Sequence, residues 1–507
     1  MNALLISLQD NLEIGGLKYL HYNLLENNHN SYLLFSPGFV PGPKKAPGLK
    51  KFITGVDPAF IGISLMSHEF KKAAELTEYL KKEISGVPII WGGVHPTIYP
   101  ESCLKYADYV CIGEGDNVIL DIAEAVEGRK NIRGLNNLAY VDRGAIKRNL
   151  LSPIITDLDR LPEVDRVFKN SFVLTEKGIQ GFSKKHLQIY TRYSGRMYNI
   201  MTTRGCPFSC TYCCNNFFSQ LYHTKIVRRR SADNIISELE RNVCRNPEIE
   251  YVNFHDDCFI ECSEDYLKDF CAKYKKAIGR PFIIRAIPAY INENKIGVLK
   301  DSGLAWINMG LQSGSDDILR DVYKRRSLKS DFIAATNIIK KYGIAAIYDV
   351  ILDNPYEREE DSFETMRIIS STPKPFHLES YSLVTYYGTE LYKRAKLDYP
   401  EFADKFFDKD FHSFKKKQIN KLIKLASIFS PSIMNRLIEM YKIKKNNFRF
   451  KVLLSLIYVF GMLVILPVNY IKLIKLSQGK SYIRSLNHLS VFIKIGISRL
   501  VNNFRIA

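Results

Sequence analysis

The stretch Arg204-Gly-Cys206-Pro-Phe-Ser-Cys210-Thr-Tyr-Cys213 sets three cysteines four and then three residues apart. It follows Asn199 to Thr203, a short run with strand character, and a loop leaving a strand for a helix can aim three thiolates at one metal centre. A structural zinc site usually takes four ligands, commonly as two separated Cys-x-x-Cys or Cys and His pairs. No second pair stands nearby, and Cys214 is the obvious spare. Consecutive side chains point in different directions, so Cys213 and Cys214 are expected to diverge. Three thiolates with one open position suit a 4Fe-4S cluster whose fourth iron takes an exogenous ligand. On that reading Cys206, Cys210 and Cys213 are the cluster ligands.

With an aromatic residue, Tyr212, before its last cysteine, the motif resembles that of the radical S-adenosylmethionine (SAM) superfamily. The resemblance implies that SAM chelates the open iron and is cleaved reductively to a 5′-deoxyadenosyl radical, which takes hydrogen from unactivated carbon. Three further segments look like strand ends of the same family: Phe254-His-Asp256-Asp257-Cys-Phe259, Gly310-Leu-Gln312-Ser313-Gly314-Ser and Asp349-Val-Ile-Leu-Asp353-Asn-Pro355-Tyr-Glu357. They imply SAM contacts from Tyr212, Asp256, Asp257, Gln312, Ser313 and Asp353. The paired carboxylates also read as a solvated strand exit, although a strand-end position favours ligand binding. Gln312 stands where many relatives carry Glu, keeping hydrogen-bonding capacity without the charge.

Around this motif, strand-like runs at Tyr251 to His255, Phe282 to Arg285, Trp306 to Gly310 and Ile344 to Ile351 alternate with helical segments, as in a complete or partial TIM-type α/β barrel. Upstream, short apolar runs at Ala3 to Leu8, Ser31 to Phe35, Phe60 to Leu65, Pro88 to Trp91 and Tyr109 to Ile112 alternate with amphipathic segments at Gly16 to Asn27, Lys71 to Ser85 and Asn117 to Val126. That pattern predicts a Rossmann-like parallel sheet with ligands at the carboxyl ends of its strands. Met1 to Leu8 lacks the basic start and cleavage site of a signal peptide and reads as the first strand.

The N-terminal half resembles the cobalamin (B12)-binding domain of radical SAM enzymes in Trp91-Gly-Gly-Val-His95-Pro-Thr, Ala107-Asp-Tyr-Val and Gly113-Glu-Gly-Asp116. Glycine permits close backbone approach to a bulky ring, though it serves ordinary turns as well. The resemblance implies cobalamin contacts from Asp10, Leu12, Gly15, Ser64, Gly92, Gly93, His95, Gly113, Glu114 and Gly115. Some cobalamin proteins carry Asp-x-His-x-x-Gly after the first strand, whereas this chain has Asp10-Asn-Leu12-Glu-Ile-Gly15, and leucine cannot coordinate cobalt. A cobalt face without histidine resembles the radical methylases.

The net charge of +19 is localised. From Phe411 to Ala507 there are 18 Lys and Arg against one acid, Glu439, whereas the remainder holds 54 basic and 52 acidic residues. A tail both basic and apolar suits an anionic membrane surface better than nucleic acid, and no nucleic-acid partner is expected. Val452 to Ile471 runs 20 residues without a charge, long enough to span about 30 Å as a helix. Basic residues flank it on both sides, Lys442 to Lys451 and Lys472 to Arg484, so span, interfacial anchor and helical cap on the barrel all remain open. Ten cysteines in a chain of 507 residues make no disulfide scaffold and point to a reducing, cytoplasmic compartment.

The expected architecture is therefore α/β: a cobalamin-binding domain over 1–147, a linker over 148–195, a radical SAM barrel over 196–400 and a helical tail over 401–507. The expected cofactors are a 4Fe-4S cluster, SAM and cobalamin, with a reductant such as flavodoxin or ferredoxin and a small-molecule or lipid-linked substrate. The expected activity is methyl transfer to, or remodelling of, an unactivated carbon. Its rivals are a radical oxidation or ring-forming enzyme with auxiliary cobalamin, and a non-catalytic cobalamin- or metal-binding module.

Overall fold

A computed structural model describes residues 1–12, 15–37, 48–191, 193–407 and 417–478. The β-rich first half begins with β1 (Asn2–Ser7), helix α1 (Gly16–Glu26), β2 (Asn30–Phe35), β3 (Phe60–Ser64), β4 (Ile89–Gly92) and β5 (Tyr109–Cys111). These strands pair in parallel in the order β5-β4-β3-β1-β2, the topology expected from five short apolar runs joined by amphipathic helices. Both faces are covered: Leu4, Ile6, Ile61 and Ile63 pack to one side, and Leu5, Phe35 and Phe60 to the other.

Hairpins extend the sheet at each edge. On one side lie β6 (Leu138–Asp142) and β7 (Ala145–Arg148), an antiparallel hairpin. On the other, β8 (Ser171–Thr175) pairs in parallel with β2, and β9 (Gly178–Gly181) pairs with β8. The stretch expected as a linker thus supplies two strands to the first sheet. The contact is fixed by His21, whose ring nitrogens meet Ser31 Oγ at 2.8 Å and the Lys169 carbonyl at 2.7 Å. Strands this short, bounded by turn residues, carry too little alternation to be read from sequence.

The second sheet is parallel throughout: β10 (Met197–Ile200), β13 (Tyr251–Phe254), β14 (Phe282–Ala286), β15 (Leu304–Gln312), β16 (Ala345–Leu352) and β17 (His377–Ser382). A small antiparallel pair, β11 (Thr203–Arg204) and β12 (Arg228–Arg229), stands above its first strand. Six strands make the partial barrel; β17, with the polar sequence His-Leu-Glu-Ser-Tyr-Ser, lacks the apolar signal that marks its neighbours.

The tail begins as two helices, Gln418–Ala426 and Pro431–Lys444, whose Leu422, Leu425, Met434 and Ile438 join the outer barrel core. A continuous helix then runs from Phe448 to Ser477. Its Tyr470, Leu473 and Ile474 pack against Met197, Tyr251, Trp306 and Ala345 at the amino ends of the strands, closing that mouth of the barrel. Phe450 and Leu454 are buried as well, while Val452, Leu456, Val459, Phe460, Leu463 and Val468 face outward. This helix is therefore packed on protein near its two ends, through Phe450 and Leu454 and through Tyr470, Leu473 and Ile474, and the stripe between and opposite them is apolar and exposed. Part of the basic flank expected over Lys472 to Arg484, and the tail after residue 478, lie outside the described residues.

Candidate active site

The cysteine loop leaves β10 through Thr202 and Thr203, both buried. Asp256, at the end of β13, accepts hydrogen bonds from the backbone N–H and hydroxyl of each threonine; Thr202 N lies at 2.7 Å and the two hydroxyls at 2.8 Å. Asp256 is thus a fully buried brace for the loop, and the expected SAM contact from it is corrected. Both its oxygens are already engaged, and burying a carboxylate needs such partners. At the next turn Gly205 has φ +100°, and a Cβ there would stand 2.6 Å from the Ile226 carbonyl, so only glycine fits.

Cys206, Cys210 and Cys213 then share one apolar niche with Phe208, Tyr212, Cys258, Ile287 and Tyr290. Cys213 closes onto the Cys210 carbonyl at 3.1 Å and begins the helix Cys214–Leu221. Burial pushes the Cys206 thiol up to about 12. The neighbouring Cys214 thiol raises the Cys213 thiol pKa, with burial acting in the same direction. Arg325 is buried beside the niche, donating to the Gly310 carbonyl at 2.8 Å and to the Tyr212 hydroxyl at 3.4 Å, and its charge acts on Cys210 and Cys206. In sequence it sits within Lys324-Arg325-Arg326, which reads as solvated surface.

The donor set fits an iron–sulfur cluster. Among the described residues no three His, Cys, Asp or Glu side chains converge closely enough to grip a single ion, as a zinc site requires, whereas thiolates around a cube of iron and sulfur stand farther apart.

The remaining residues expected at SAM divide. Asp257 is exposed and lines the large interdomain cavity. Tyr212 is packed edge-on against Tyr323. Gln312 adopts φ +69° where the β15–β16 register shifts, at the carboxyl end of its strand. Ser313 donates to Glu357 at 2.7 Å, and burial raises that carboxyl to about 7. Asp353 accepts from Ser382 at 2.7 Å and from Asn420 at 3.0 Å. Tyr212, Gln312, Ser313 and Asp353 surround the strand ends without lining that cavity.

The cavity, about 720 Å³, lies between the carboxyl ends of the first sheet and the cysteine loop. Asp10, Gly15, Ser64, Gly92, Gly93, Gly113, Glu114 and Gly115 line it as expected, and so do Thr203, Arg204, Gly205 and His255 from the barrel side. Two of the expected cobalamin contacts do not. His95 is fully buried behind the Gly93 turn, its nitrogens 3.0 Å from Ser67 Oγ and 3.3 Å from Ser102 Oγ, and burial pulls it down to about 4. Leu12 is buried in the first-sheet core with Leu5, Leu17 and Phe35. Gly93 holds φ +98°, with an added Cβ only 2.9 Å from the Leu65 carbonyl. Small residues and apolar walls leave a concave floor at the strand ends that suits a corrin ring.

Ion pairs clamp the two halves at this cavity. Arg204 forks onto Asp116 at 2.8 and 3.0 Å, and Arg228 onto Glu114, with the Tyr222 hydroxyl accepting from Glu114 N at 2.8 Å. Burial alone would pull the Arg204 guanidinium down, but Asp116 and Glu114 outweigh it and hold its pKa above the ordinary value. Glu114 therefore lines the cavity with its carboxylate already engaged.

Family comparison agrees with this architecture. The radical SAM superfamily matches residues 200–369 and the B12 binding domain matches residues 16–123. The chain is a cobalamin-binding radical SAM enzyme. Its cofactors are a 4Fe-4S cluster, SAM and cobalamin. It is 23% identical over 351 residues to an uncharacterized methyltransferase of Pyrococcus horikoshii, covering 68% of this chain and 71% of that one. It spans 55% and 52% of two further curated relatives. Among solved structures, it resembles the cobalamin-dependent SAM radical enzyme OxsB, with TM-score 0.65 and 15% identity over 98% of this chain and 80% of that one. It also resembles the radical SAM methyltransferase TsrM of Kitasatospora setae, with TM-score 0.63 and 13% identity over 78% of this chain and 76% of that one. At these identities the likeness is one of fold.

Removing one partner of a buried ion pair strands the other charge. Asp116→Asn is expected to lower stability by about 3 kcal/mol and to weaken cobalamin retention while cluster iron stays bound. Chemical denaturation with iron and cobalamin quantification checks this.

Proposed function

We propose that this enzyme transfers a methyl group to, or otherwise remodels, an unactivated carbon of a small-molecule or lipid-linked substrate, drawing electrons from a flavodoxin or ferredoxin in the cytoplasm. The observation that carries the proposal is the single cavity that reaches from the Gly92–Gly93 and Gly113–Gly115 turns to Gly205 and Asp257 beside the cysteine loop. The methyltransferases among its relatives and structural neighbours support methyl transfer, and the anaerobic magnesium-protoporphyrin IX monomethyl ester cyclases among its relatives support ring formation as the second reading.

Cys206, Cys210 and Cys213 would hold the cluster, and the cavity glycines would bed the corrin. Bound there, the cluster would supply the electron for SAM cleavage and cobalamin a transferable methyl group. The chain's residues order that chemistry. Asp256 and Gly205 set the height of the cysteine loop, and Arg325 places a fixed positive charge behind Cys210. Asp257 offers an acceptor at the cavity edge, and Gln312, Ser313 and Asp353 frame the strand ends. Leu12 leaves the loop after β1 without an imidazole for cobalt.

Anaerobically reconstituted protein is expected to bind iron and cobalamin and to release 5′-deoxyadenosine from SAM under reduction. Single Ala substitutions at Cys206, Cys210 or Cys213 should abolish that release. Zinc in place of iron, or cleavage indifferent to the cysteines, would contradict the assignment.

The exposed stripe of the Phe448–Ser477 helix, with Arg449 before it and Lys472 and Lys475 near its end, supports a location on an anionic membrane surface, the helix lying in the plane because its other stripe is held by the barrel. Full-length protein should sediment with vesicles containing phosphatidylglycerol, and combined Leu456→Ser, Phe460→Ser and Leu463→Ser should free it without loss of iron. These side chains are 58 to 63% exposed, so folding should survive.

A further inference from the structure

Among the described residues, three strongly basic ones line the interdomain cavity: Lys18, Arg204 and Arg228. Arg204 is paired with Asp116 and Arg228 with Glu114. Lys18 has no hydrogen bond or ion pair among the described residues, and its ammonium lies only over the neighbouring Tyr19 ring, 5.3 Å from the centroid. Glu238, the acid whose field reaches it, is already held by Arg230 at 2.7 Å and by the Tyr198 hydroxyl at 2.7 Å. Yet Lys18 is only 7% exposed. A buried ammonium without a partner is costly, and burial lowers its pKa accordingly.

Its position adds a second observation. Lys18 stands in the first turn of α1, an 11-residue helix that starts at the carboxyl end of β1 and is capped by Gly15, which offers no side chain to the free N–H groups. A helix amino terminus favours an anion, and here a buried lysine faces the same space. The facing groups from other elements are the Glu238–Arg230 pair, both of whose charges act on Lys18, His255 just after β13, bonded to Arg285 at 2.8 Å, and Asp257 at the barrel edge. The carboxylates of Glu114 and Asp116 are neutralised by the two arginines.

Resting on the reading of this cavity as the chamber for cobalamin and substrate, we propose that Lys18 and the first turn of α1 form an oxyanion site that binds a phosphate or carboxylate of the cavity's occupant. Two sources fit that chemistry: the phosphodiester of cobalamin itself, or an acidic group on the substrate.

The test uses the full chain loaded with iron, as wild type, Lys18→Met and Lys18→Arg. Affinities are measured for hydroxocobalamin and for diaquacobinamide, which keeps the corrin ring but lacks the phosphodiester. Melting temperatures are followed with added inorganic phosphate. If cobalamin is the source, Lys18→Met weakens hydroxocobalamin roughly tenfold to a hundredfold and spares cobinamide, and Lys18→Arg restores most of the loss. If the substrate is the source, both corrinoids bind all three proteins alike, and phosphate raises the melting temperature of wild type and Lys18→Arg but not of Lys18→Met. Corrinoid affinities and phosphate responses that are both indifferent to Lys18 overturn the oxyanion site while leaving the cofactor reading intact. Should Lys18→Met fail to load with iron, protection of wild-type Lys18 from acetylation by hydroxocobalamin or by phosphate replaces it, and absence of protection by either is the contrary result. Wild type that takes up neither iron nor corrinoid overturns the cofactor reading and the site together.

Discussion

The pairing of Arg204 with Asp116, beside that of Arg228 with Glu114, is the constraint on which the site depends. Asp116 and Glu114 belong to the turn after β5, on the cobalamin side; Arg204 is two residues before the first cluster cysteine, and Arg228 lies on the strand paired with it. The same four side chains therefore position the floor of one cofactor site and the approach to the other. Their burial makes the contact specific: each charge is satisfied only when the two halves meet in this register. Gly113 and Gly205 allow the approach, since a Cβ at Gly113 would overlap the Tyr222 hydroxyl and one at Gly205 would press on the Ile226 carbonyl.

Behind the clamp, a second layer fixes the cysteine loop from within the barrel. Asp256 ties the end of β13 to the start of the loop, while Arg325 links Tyr212 to the Gly310 carbonyl at the end of β15. Loop position is thus set by strands on both sides of it, which suits a reaction whose radical must be kept near its target.

Much of this was legible in the residues. The cysteine spacing and the glycine-rich strand ends identify both domains, because metal ligation and close backbone approach leave few alternatives at those positions. All five N-terminal strands lie within two residues of their expected bounds. What local pattern does not carry is direction and partnership. Asp256 and Asp257 are adjacent and chemically alike, yet one braces a loop and the other faces the cavity. His95 and Leu12 sit in the right segments but point into the protein. Arg325 and Lys18 look like surface cations until long-range packing buries them, and β8 and β9 acquire their place only by pairing with β2. The tail helix shows the same limit: its composition allows a membrane span, but only tertiary contacts reveal that one stripe is committed to the barrel mouth.

The central claim is that the cavity for cobalamin lies directly beside the cysteine loop that holds the cluster, which meets it at Gly205. Electron paramagnetic resonance of the protein carrying cob(II)alamin and reduced cluster tests it most directly. The account predicts that the cob(II)alamin signal is broadened by the nearby cluster spin, and that the broadening disappears in Cys210→Ala, which retains cobalamin but not the cluster. Identical cob(II)alamin signals with and without the reduced cluster would place the two cofactors too far apart and contradict it.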